Sequence, residues 1–330
     1  MSGRTLELVC PAGTPAALRT AVDAGAHSVY CGFRDETNAR NFPGLNFSRD
    51  EMSTAIEYAH GKGARVLVAI NTFPRAGAPD LWHRAVDDAA ALGADAVILA
   101  DLGLIAYAAG AHPGLRLHLS VQAAASNADA IRFYVENFGI RRVVLPRVLS
   151  VPEIRAINAE IDCETEVFIY GGLCVMAEGR CSLSSYVTGK SPNMDGACSP
   201  ASHVQYRQDG GELVSRLGDY TIDRVPEGTP APYPTICKGC YDVGDYRGHV
   251  FEDPASLDAA SLIPQLAEAG VTALKIEGRQ RSRSYTQAVV TSFRRAVDAH
   301  AAGMPVLAGA LLALSEGQAT TAGAYRKTWR

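Results

Sequence analysis

The 330-residue sequence contains no hydrophobic run that is long enough to cross a membrane. Its most apolar stretch, residues 102–111, is far shorter than the ~20 residues that a transmembrane helix needs. The N-terminal residues lack the apolar region and the cleavage site of a secretory signal peptide. We therefore expect a soluble, cytoplasmic protein without direct membrane insertion.

An excess of basic charge is missing as well. Lys and Arg total 31 against 35 Asp and Glu, which gives a formal net charge of −4. A protein that binds nucleic acid through its phosphates needs clustered positive charge. We therefore expect no nucleic-acid partner. The 47% of hydrophobic residues also excludes a disordered chain, which would have too little apolar surface to bury.

Several catalytic signatures are absent. No Gly-x-Gly-x-x-Gly follows the first apolar run, which weakens the case for a dinucleotide-binding fold. Neither Gly-x-Ser-x-Gly nor His-Glu-x-x-His occurs anywhere in the chain. A hydrolase would therefore lack the usual serine nucleophile or zinc site, and a peptidase is the least supported of the functions considered.

Runs rich in Val, Ile and Leu alternate with Ala-rich stretches of helical spacing, a pattern typical of βαβ units and a parallel sheet. The sequence predicts strands at 6–10, 28–33, 65–71, 96–101, 115–122, 142–147, 165–171 and 273–278. It predicts helices at 14–24, 48–61, 79–92, 102–109, 127–137, 151–159 and 285–302. Eight strands with outer helices predict a TIM-type (β/α)8 barrel, with a doubly wound sheet as the alternative. Residues 1–171 and 271–330 would form the barrel, and residues 172–270 a large insertion between strands seven and eight.

Barrel enzymes carry their chemistry at the C-terminal ends of the strands. The predicted ends carry Cys10, Asn71, Asp101, Gln122, Arg147 and Gly171. Because alternate strand residues share a face, two rows of side chains should each point one way: His118, Ser120 and Gln122, and Lys275, Glu277 and Arg279. Charges that face a barrel interior are costly unless they are paired or bound to a ligand. The second row therefore predicts a structural ion-pair network, a substrate site, or both.

Five of the eight cysteines lie between residues 174 and 240, which favours metal ligation or thiol chemistry. The spacing of Cys174, Cys181, Cys198 and Cys237 matches no zinc finger, and four thiolates from separate loops suit an iron–sulfur cluster. Structural zinc remains an alternative. Cys240 forms a Cys-x-x-Cys with Cys237, so either thiol could be the fourth ligand, or the pair could be redox-active.

On a straight helix, Cys174 and Cys181 would lie ~10.5 Å apart along the axis, which is awkward for two ligands of one cluster. We therefore predict a loop over residues 175–180, with Arg180 or Lys238 close enough to stabilise the negative charge. Cys10, Cys31 and Cys163 are expected to be small buried hydrophobic residues.

Three segments together resemble the collagenase-like peptidase family U-32: residues 171–186, residues 196–200, and Lys275-Ile-Glu-Gly-Arg279. The opening Leu-Val-Cys-Pro-Ala-Gly, the Thr-Asn-Ala-Arg at 37–40 and the Leu-Ser-Val-Gln at 119–122 fit the same family. More narrowly, residues 144–149, 188–193, 315–318 and 323–326 resemble its UbiU-like members, which act in ubiquinone biosynthesis.

This resemblance implies a [4Fe-4S] cluster on Cys174, Cys181, Cys198 and Cys237. It implies oxygen-independent hydroxylation of a quinone precursor by a heterodimer with a UbiV-like subunit, helped by a lipid-carrying accessory protein. RNA-hydroxylating relatives use prephenate as the hydroxyl donor, which makes prephenate the donor to expect here. Two other functions stay open: an RNA-hydroxylating relative, and a scaffold or electron-delivery subunit whose partner carries the chemistry.

A dianion such as prephenate calls for cationic, bidentate recognition, which favours arginine. We predict Arg40, Arg147 and Arg279 as substrate-binding residues. Gln122 and Glu277 are predicted as catalytic residues that give polar or acid–base support.

Overall fold

The protein is described by a computed structural model that covers residues 6–229, 231–306 and 311–326. Its strands follow the Val-, Ile- and Leu-rich runs, whose branched side chains suit a pleated, buried surface. In chain order they are β1 (Glu7–Pro11), β2 (Ser28–Cys31), β3 (Arg65–Ile70), β4 (Ala96–Leu99), β5 (Leu117–Leu119), β6 (Arg142–Val144), β7 (Glu164–Gly172), β8 (Val204–Asp209), β9 (Glu212–Leu217), β10 (Tyr220–Pro226), β11 (Cys240–Val243), β12 (Tyr246–His249), β13 (Ser256–Asp258), β14 (Ala273–Ile276) and β15 (Thr320–Thr321).

Six of the nine helices in the described residues begin where a short polar side chain accepts a hydrogen bond from a free backbone N–H group. Ser48 and Ser150 each form a reciprocal capping box with the glutamate three residues later. The helices are α1 (Pro15–Asp23), α2 (Arg49–Gly61), α3 (Asp80–Ala91), α4 (Leu102–Ala111), α5 (Ala128–Phe138), α6 (Val151–Glu160), α7 (Leu183–Thr188), α8 (Ile263–Glu268) and α9 (Arg283–Ala301).

The sheet closes on itself. Strands β1 to β7 pair in sequence order and run parallel, and β14 pairs with β1 on one side and with β7 on the other. The predicted TIM-type barrel is therefore confirmed. The closure brings residues 273–276 beside β1, so that the loops after all eight strands open at one end of the barrel.

Buried charges fill the opposite end of the barrel. Arg142 pairs with Glu7 at 2.6 Å, with Glu164 at 2.7 Å and with Glu166 at 3.2 Å. Glu166 also accepts a hydrogen bond of 2.5 Å from Nζ of Lys275. Lys275 therefore takes part in a structural ion-pair network. The partners come from β1, β6, β7 and β14, so the network joins strands that are distant in sequence.

Six of the eight predicted strands end earlier than expected, and two of these ends change the position of predicted site residues relative to the strand. Strand β5 ends at Leu119 because Ser120 caps a 3-10 turn over Val121–Ala123. The prediction that Gln122 lies on this strand is therefore wrong. Strand β14 ends at Ile276, and Gly278 has a φ of 150°, so Glu277 and Arg279 lie in the following loop.

The segment between β7 and β14 has more regular structure than its Gly-, Pro- and Ser-rich sequence suggests. Strands β10, β9 and β8 form an antiparallel sheet, and β11 and β12 form a hairpin. Strand β13 pairs with β7, and α8 contacts α6 and α9. The division of the chain into a barrel and an insertion at residues 172–270 remains a proposal. Among the described residues, no helix is both long and apolar enough to span a membrane.

Candidate functional site

A cavity of about 140 Å³ lies at the barrel mouth, and the four predicted cluster ligands line it. Cys174 follows β7, Cys181 precedes α7, Cys198 follows α7, and Cys237 lies in a 3-10 turn of residues 236–238. Residues 175–180 form turns without a helix, as predicted. The fold therefore brings four thiols from separate segments to the wall of one cavity.

The protein around the cavity raises the pKa of three of these thiols, those of Cys174, Cys198 and Cys237. Burial raises the pKa of Cys174 to about 12, and the carboxylate of Glu178 adds to that effect while Arg147 opposes it. Burial likewise raises the pKa of Cys237 to about 11. Cys198 is exposed toward the open cavity, yet the surrounding protein still raises its pKa.

The other cysteines do not line this cavity. Cys10 and Cys31 are fully buried in the hydrophobic core, and Cys163 packs against it. Cys240 begins β11 and pairs with His249 in the hairpin.

Across the described ranges, no three His, Cys, Asp or Glu side chains are close enough together to hold a single metal ion.

Two glycines let the cysteine segments approach the barrel backbone. A Cβ atom at Gly179 would lie 1.9 Å from the carbonyl oxygen of Gln122. A Cβ atom at Gly196 would lie 2.0 Å from the carbonyl oxygen of Ala39. Both glycines have positive φ, so side chains are excluded there by space and by backbone conformation.

Arg279 and Glu277 line the cavity on the β14 side, where the sequence placed them. Arg279 is buried, donates a hydrogen bond of 3.3 Å to Oδ1 of Asn38, and lies over the ring of Tyr30. Burial lowers the pKa of Arg279 to about 10, so the guanidinium stays charged at neutral pH. Within the described ranges, neither Arg279 nor Arg40 forms an ion pair with a carboxylate.

Glu277 accepts a hydrogen bond of 3.1 Å from the backbone N–H of Gly172. Burial alone would raise the pKa of Glu277, but the charges of Arg40 and Arg147 outweigh it and hold the pKa below its usual value. The carboxylate is therefore ionised at neutral pH, which suits a hydrogen-bond acceptor or a general base.

Arg147 and Glu178 form a buried ion pair at the wall next to Cys174. The guanidinium of Arg147 also lies 3.5 Å above the centre of the Phe168 ring. Gln122, in the 3-10 turn after β5, lines the same cavity. All five predicted catalytic and substrate-binding residues therefore border the cavity that the four thiols line.

A model of Peptidase family U32 matches residues 13–320. The chain belongs to peptidase family U32. Its relatives include the tRNA hydroxylation protein P of Escherichia coli, which is 32% identical over 91% of this chain and 69% of the relative. The 23S rRNA 5-hydroxycytidine C2501 synthase of Escherichia coli is 30% identical over 91% of this chain. This U32 chain spans only 40% of that synthase.

A solved structure, the U32 peptidase Mk0906, matches with a TM-score of 0.50 and 16% identity, over 84% of this chain and 95% of that chain. This likeness supports the fold alone. The UbiU-like assignment within family U32 stays a prediction.

The sequence of this U32 chain did not predict several cavity residues, and it placed six strand ends too far along the chain. Glu178 was passed over, although an acidic residue between two predicted cysteine ligands is itself a signal. Asn71 lines the cavity as expected, whereas Cys10 lies in the core and Asp101 caps α4 at the N–H of Leu104. The expectation that functional residues lie at the C-terminal ends of the strands therefore identified the correct end of the barrel. It did not identify which side chains point into the cavity.

Proposed function

We propose that this chain is an iron–sulfur subunit for oxygen-independent hydroxylation in ubiquinone biosynthesis. One observation carries the proposal: four thiols from separate segments line a cavity that also contains unpaired arginines. Relatives that are named as hydroxylation proteins support a hydroxylation-related role. The quinone substrate rests on the UbiU-like segments.

The residues fit a [4Fe-4S] cluster by their chemistry, since such clusters are held by four cysteine thiolates. Cys174, Cys181, Cys198 and Cys237 would hold it, and Lys238 favours the thiolate forms of Cys198 and Cys237. Arg180 is exposed, whereas Lys238 is buried. Although Lys238 pairs with Glu316, its charge still acts on both thiols, so it is the better supported of the two predicted basic neighbours. A bound cluster would supply electron relay or activation of the hydroxyl donor.

A small carboxylate donor fits the remaining cavity wall. Arg40 and Arg279 present positive charge without a carboxylate ion pair among the described residues. Arg279 is buried and Arg40 is half-buried, and buried charge favours an anionic ligand. Prephenate, which carries two carboxylates and a hydroxyl group, is the donor we propose. Glu277, held ionised by Arg40 and Arg147, would accept a hydrogen bond from it or take a proton.

Two partners belong to this proposal. A UbiV-like subunit would complete a heterodimer, and a lipid-carrying accessory protein would present the quinone precursor. If the chain instead serves as a scaffold or electron-delivery subunit, the UbiV-like partner carries the reaction. Cluster-ligand variants made separately in each subunit, and assayed in the complex, distinguish these two arrangements.

A second candidate is RNA hydroxylation, which the named functions of the relatives favour. The net charge of −4 and the lack of a strongly basic stretch count against it. This chain also spans only 69% and 40% of the two relatives, so their whole activities need not be shared.

The cluster is tested by purifying the chain without oxygen and measuring iron, acid-labile sulfide and visible absorbance. We expect about four irons and four sulfides per chain, as a [4Fe-4S] cluster requires. Separate Cys→Ser changes at Cys174, Cys181, Cys198 and Cys237 should each remove most of them. Cys240→Ser is the matched control and should retain the cluster; material without sulfide or absorbance contradicts the proposal.

The substrate is tested in a strain that lacks this gene and grows without oxygen. We expect ubiquinone to fall and its unhydroxylated precursor to accumulate, with hydroxylated tRNA and rRNA bases unchanged. Normal ubiquinone together with loss of a hydroxylated base would instead establish the RNA candidate.

A further inference from the structure

Four residues that line the cavity carry a buried polar atom for which the described part of the chain supplies no hydrogen-bond partner. One atom is Oγ1 of Thr235, and the other three are Oε1 of Gln122, Nε of Arg147 and Oε2 of Glu178. All three residues line the cavity. The Arg147 side chain is 8% exposed and that of Glu178 is 10% exposed, so bulk water does not satisfy these atoms.

The backbone holds these three groups together. The ion pair fixes Glu178 against Arg147, and Arg147 is in turn held over Phe168. The next residue, Gly179, packs against the backbone of Gln122 so closely that a Cβ atom there would overlap its carbonyl oxygen. Glu178 lies in the loop between Cys174 and Cys181, Arg147 lies in the loop after β6, and Gln122 lies in the turn after β5. All three residues therefore come from different segments and line the same cavity.

Their hydrogen-bonding capacity is specific. The Gln122 and Glu178 oxygens accept hydrogen bonds, and Nε of Arg147 donates one. A carboxylate could use only the donor and would be repelled by Glu178. A hydroxyl group both donates and accepts, so it can pair with an oxygen and with the guanidinium at once.

Resting on the proposed function, we propose that Glu178, with Arg147 and Gln122, forms a second polar subsite that binds a hydroxyl group of the ligand. The ligand's carboxylate lies near Arg40 and Arg279, which line the same cavity. The cavity would thus select small carboxylic acids that also carry a hydroxyl group. Leaving a buried acceptor unpaired is costly, so an analogue without the hydroxyl should bind less tightly.

The test measures binding of prephenate to the anaerobically purified full chain by titration calorimetry. Glu178→Gln keeps an oxygen for Arg147 but turns the second acceptor into a donor, and Gln122→Leu removes the other acceptor. We expect each change to weaken binding by about ten- to a hundredfold, which corresponds to the loss of one hydrogen bond to a charged or buried group. Iron and sulfide content should not change.

Asp129→Asn, at an exposed ion pair on α5, is the matched control and should bind like the unchanged protein. Binding that both cavity variants leave unchanged would overturn the subsite. Loss of iron and sulfide in Glu178→Gln would also overturn it, because Glu178 would then act by holding the cysteine loop. If the unchanged protein does not bind prephenate at all, the donor named in the proposed function is wrong.

Discussion

Arg40 donates a hydrogen bond of 2.7 Å from Nη1 to the carbonyl oxygen of Gly196, two residues before Cys198. The same nitrogen donates to the carbonyl oxygen of Ala39, whose backbone packs against Gly196. The loop after β2 and the segment that carries Cys198 are thus joined through backbone oxygens. Arg40 therefore orients a predicted cluster ligand in addition to its predicted role in binding an anion.

Replacing Arg279 tests most directly whether the cavity binds an anion. Arg279 is buried, and it donates a hydrogen bond to the neutral side chain of Asn38. We expect Arg279→Ala to lower hydroxylation at least about tenfold, since a hydrogen bond to a charged group is worth about 1.5–3 kcal/mol. The visible spectrum of the cluster should persist. Arg34→Ala, at an exposed pair with Glu51, should leave activity intact, and unchanged activity in Arg279→Ala would remove this residue from the site.

Replacing Gly179 tests whether the loop between Cys174 and Cys181 must approach the barrel backbone closely for the cluster to bind. We expect Gly179→Ala to reduce iron and sulfide content severalfold, because the new Cβ atom would overlap the Gln122 carbonyl oxygen and displace Cys181. The far-ultraviolet circular dichroism should stay that of a folded barrel. Gly189→Ala is the matched control, since its φ is also positive but no atom lies within 4 Å of the added carbon. Equal cluster content in the two variants would show that the close approach does not matter.

The buried charge network predicts a large effect on stability. Arg142→Met leaves the carboxylates of Glu7, Glu164 and Glu166 without their shared partner. We expect the free energy of unfolding to fall by about 3–5 kcal/mol, the usual cost of breaking a buried ion pair. Arg34→Met, at a surface pair, should cost no more than about 1 kcal/mol. Denaturant titration measures both, and similar losses would argue against a structural role for the network.

The lowered pKa of His118 predicts how the free energy of unfolding changes with pH. Burial, together with the charges of Arg142 and Arg116, holds the pKa of His118 well below its usual value. An unfolded histidine takes up a proton near pH 6.5, so the unfolded chain binds more protons than the folded chain below that pH. The free energy of unfolding should therefore fall, by up to about 1.4 kcal/mol per pH unit from this group, as the pH drops below about 6.5.

His118→Gln should make this pH dependence shallower, because glutamine does not titrate. Urea titrations of both proteins at pH 7.5 and pH 5.5 measure the difference. The same loss of stability between the two pH values in both proteins would assign the acid sensitivity to other groups.

The barrel could be predicted from the sequence because its signal is local. Each barrel strand is a short apolar run, and most helices have their own capping residue and helical spacing, so the βαβ repetition was visible without any tertiary information. The charged row at 275–279 was also visible. The pairing of Lys275 with Glu166 was not, because it depends on Glu166 lying on the neighbouring strand, and Lys275 lines the cavity together with Glu277 and Arg279.

The sequence alone determined which cysteines and arginines were candidate site residues, and it determined the order of strands and helices. These features depend only on residue type and spacing. Only the tertiary structure decided that Cys174, Cys181, Cys198 and Cys237 border one cavity and that Cys240 lies outside it. It also decided the pairing of Arg147 with Glu178 and the approach of Gly179 and Gly196 to the barrel loops. These relations join segments that only chain closure brings together, and no local pattern of side chains encodes the distance between them.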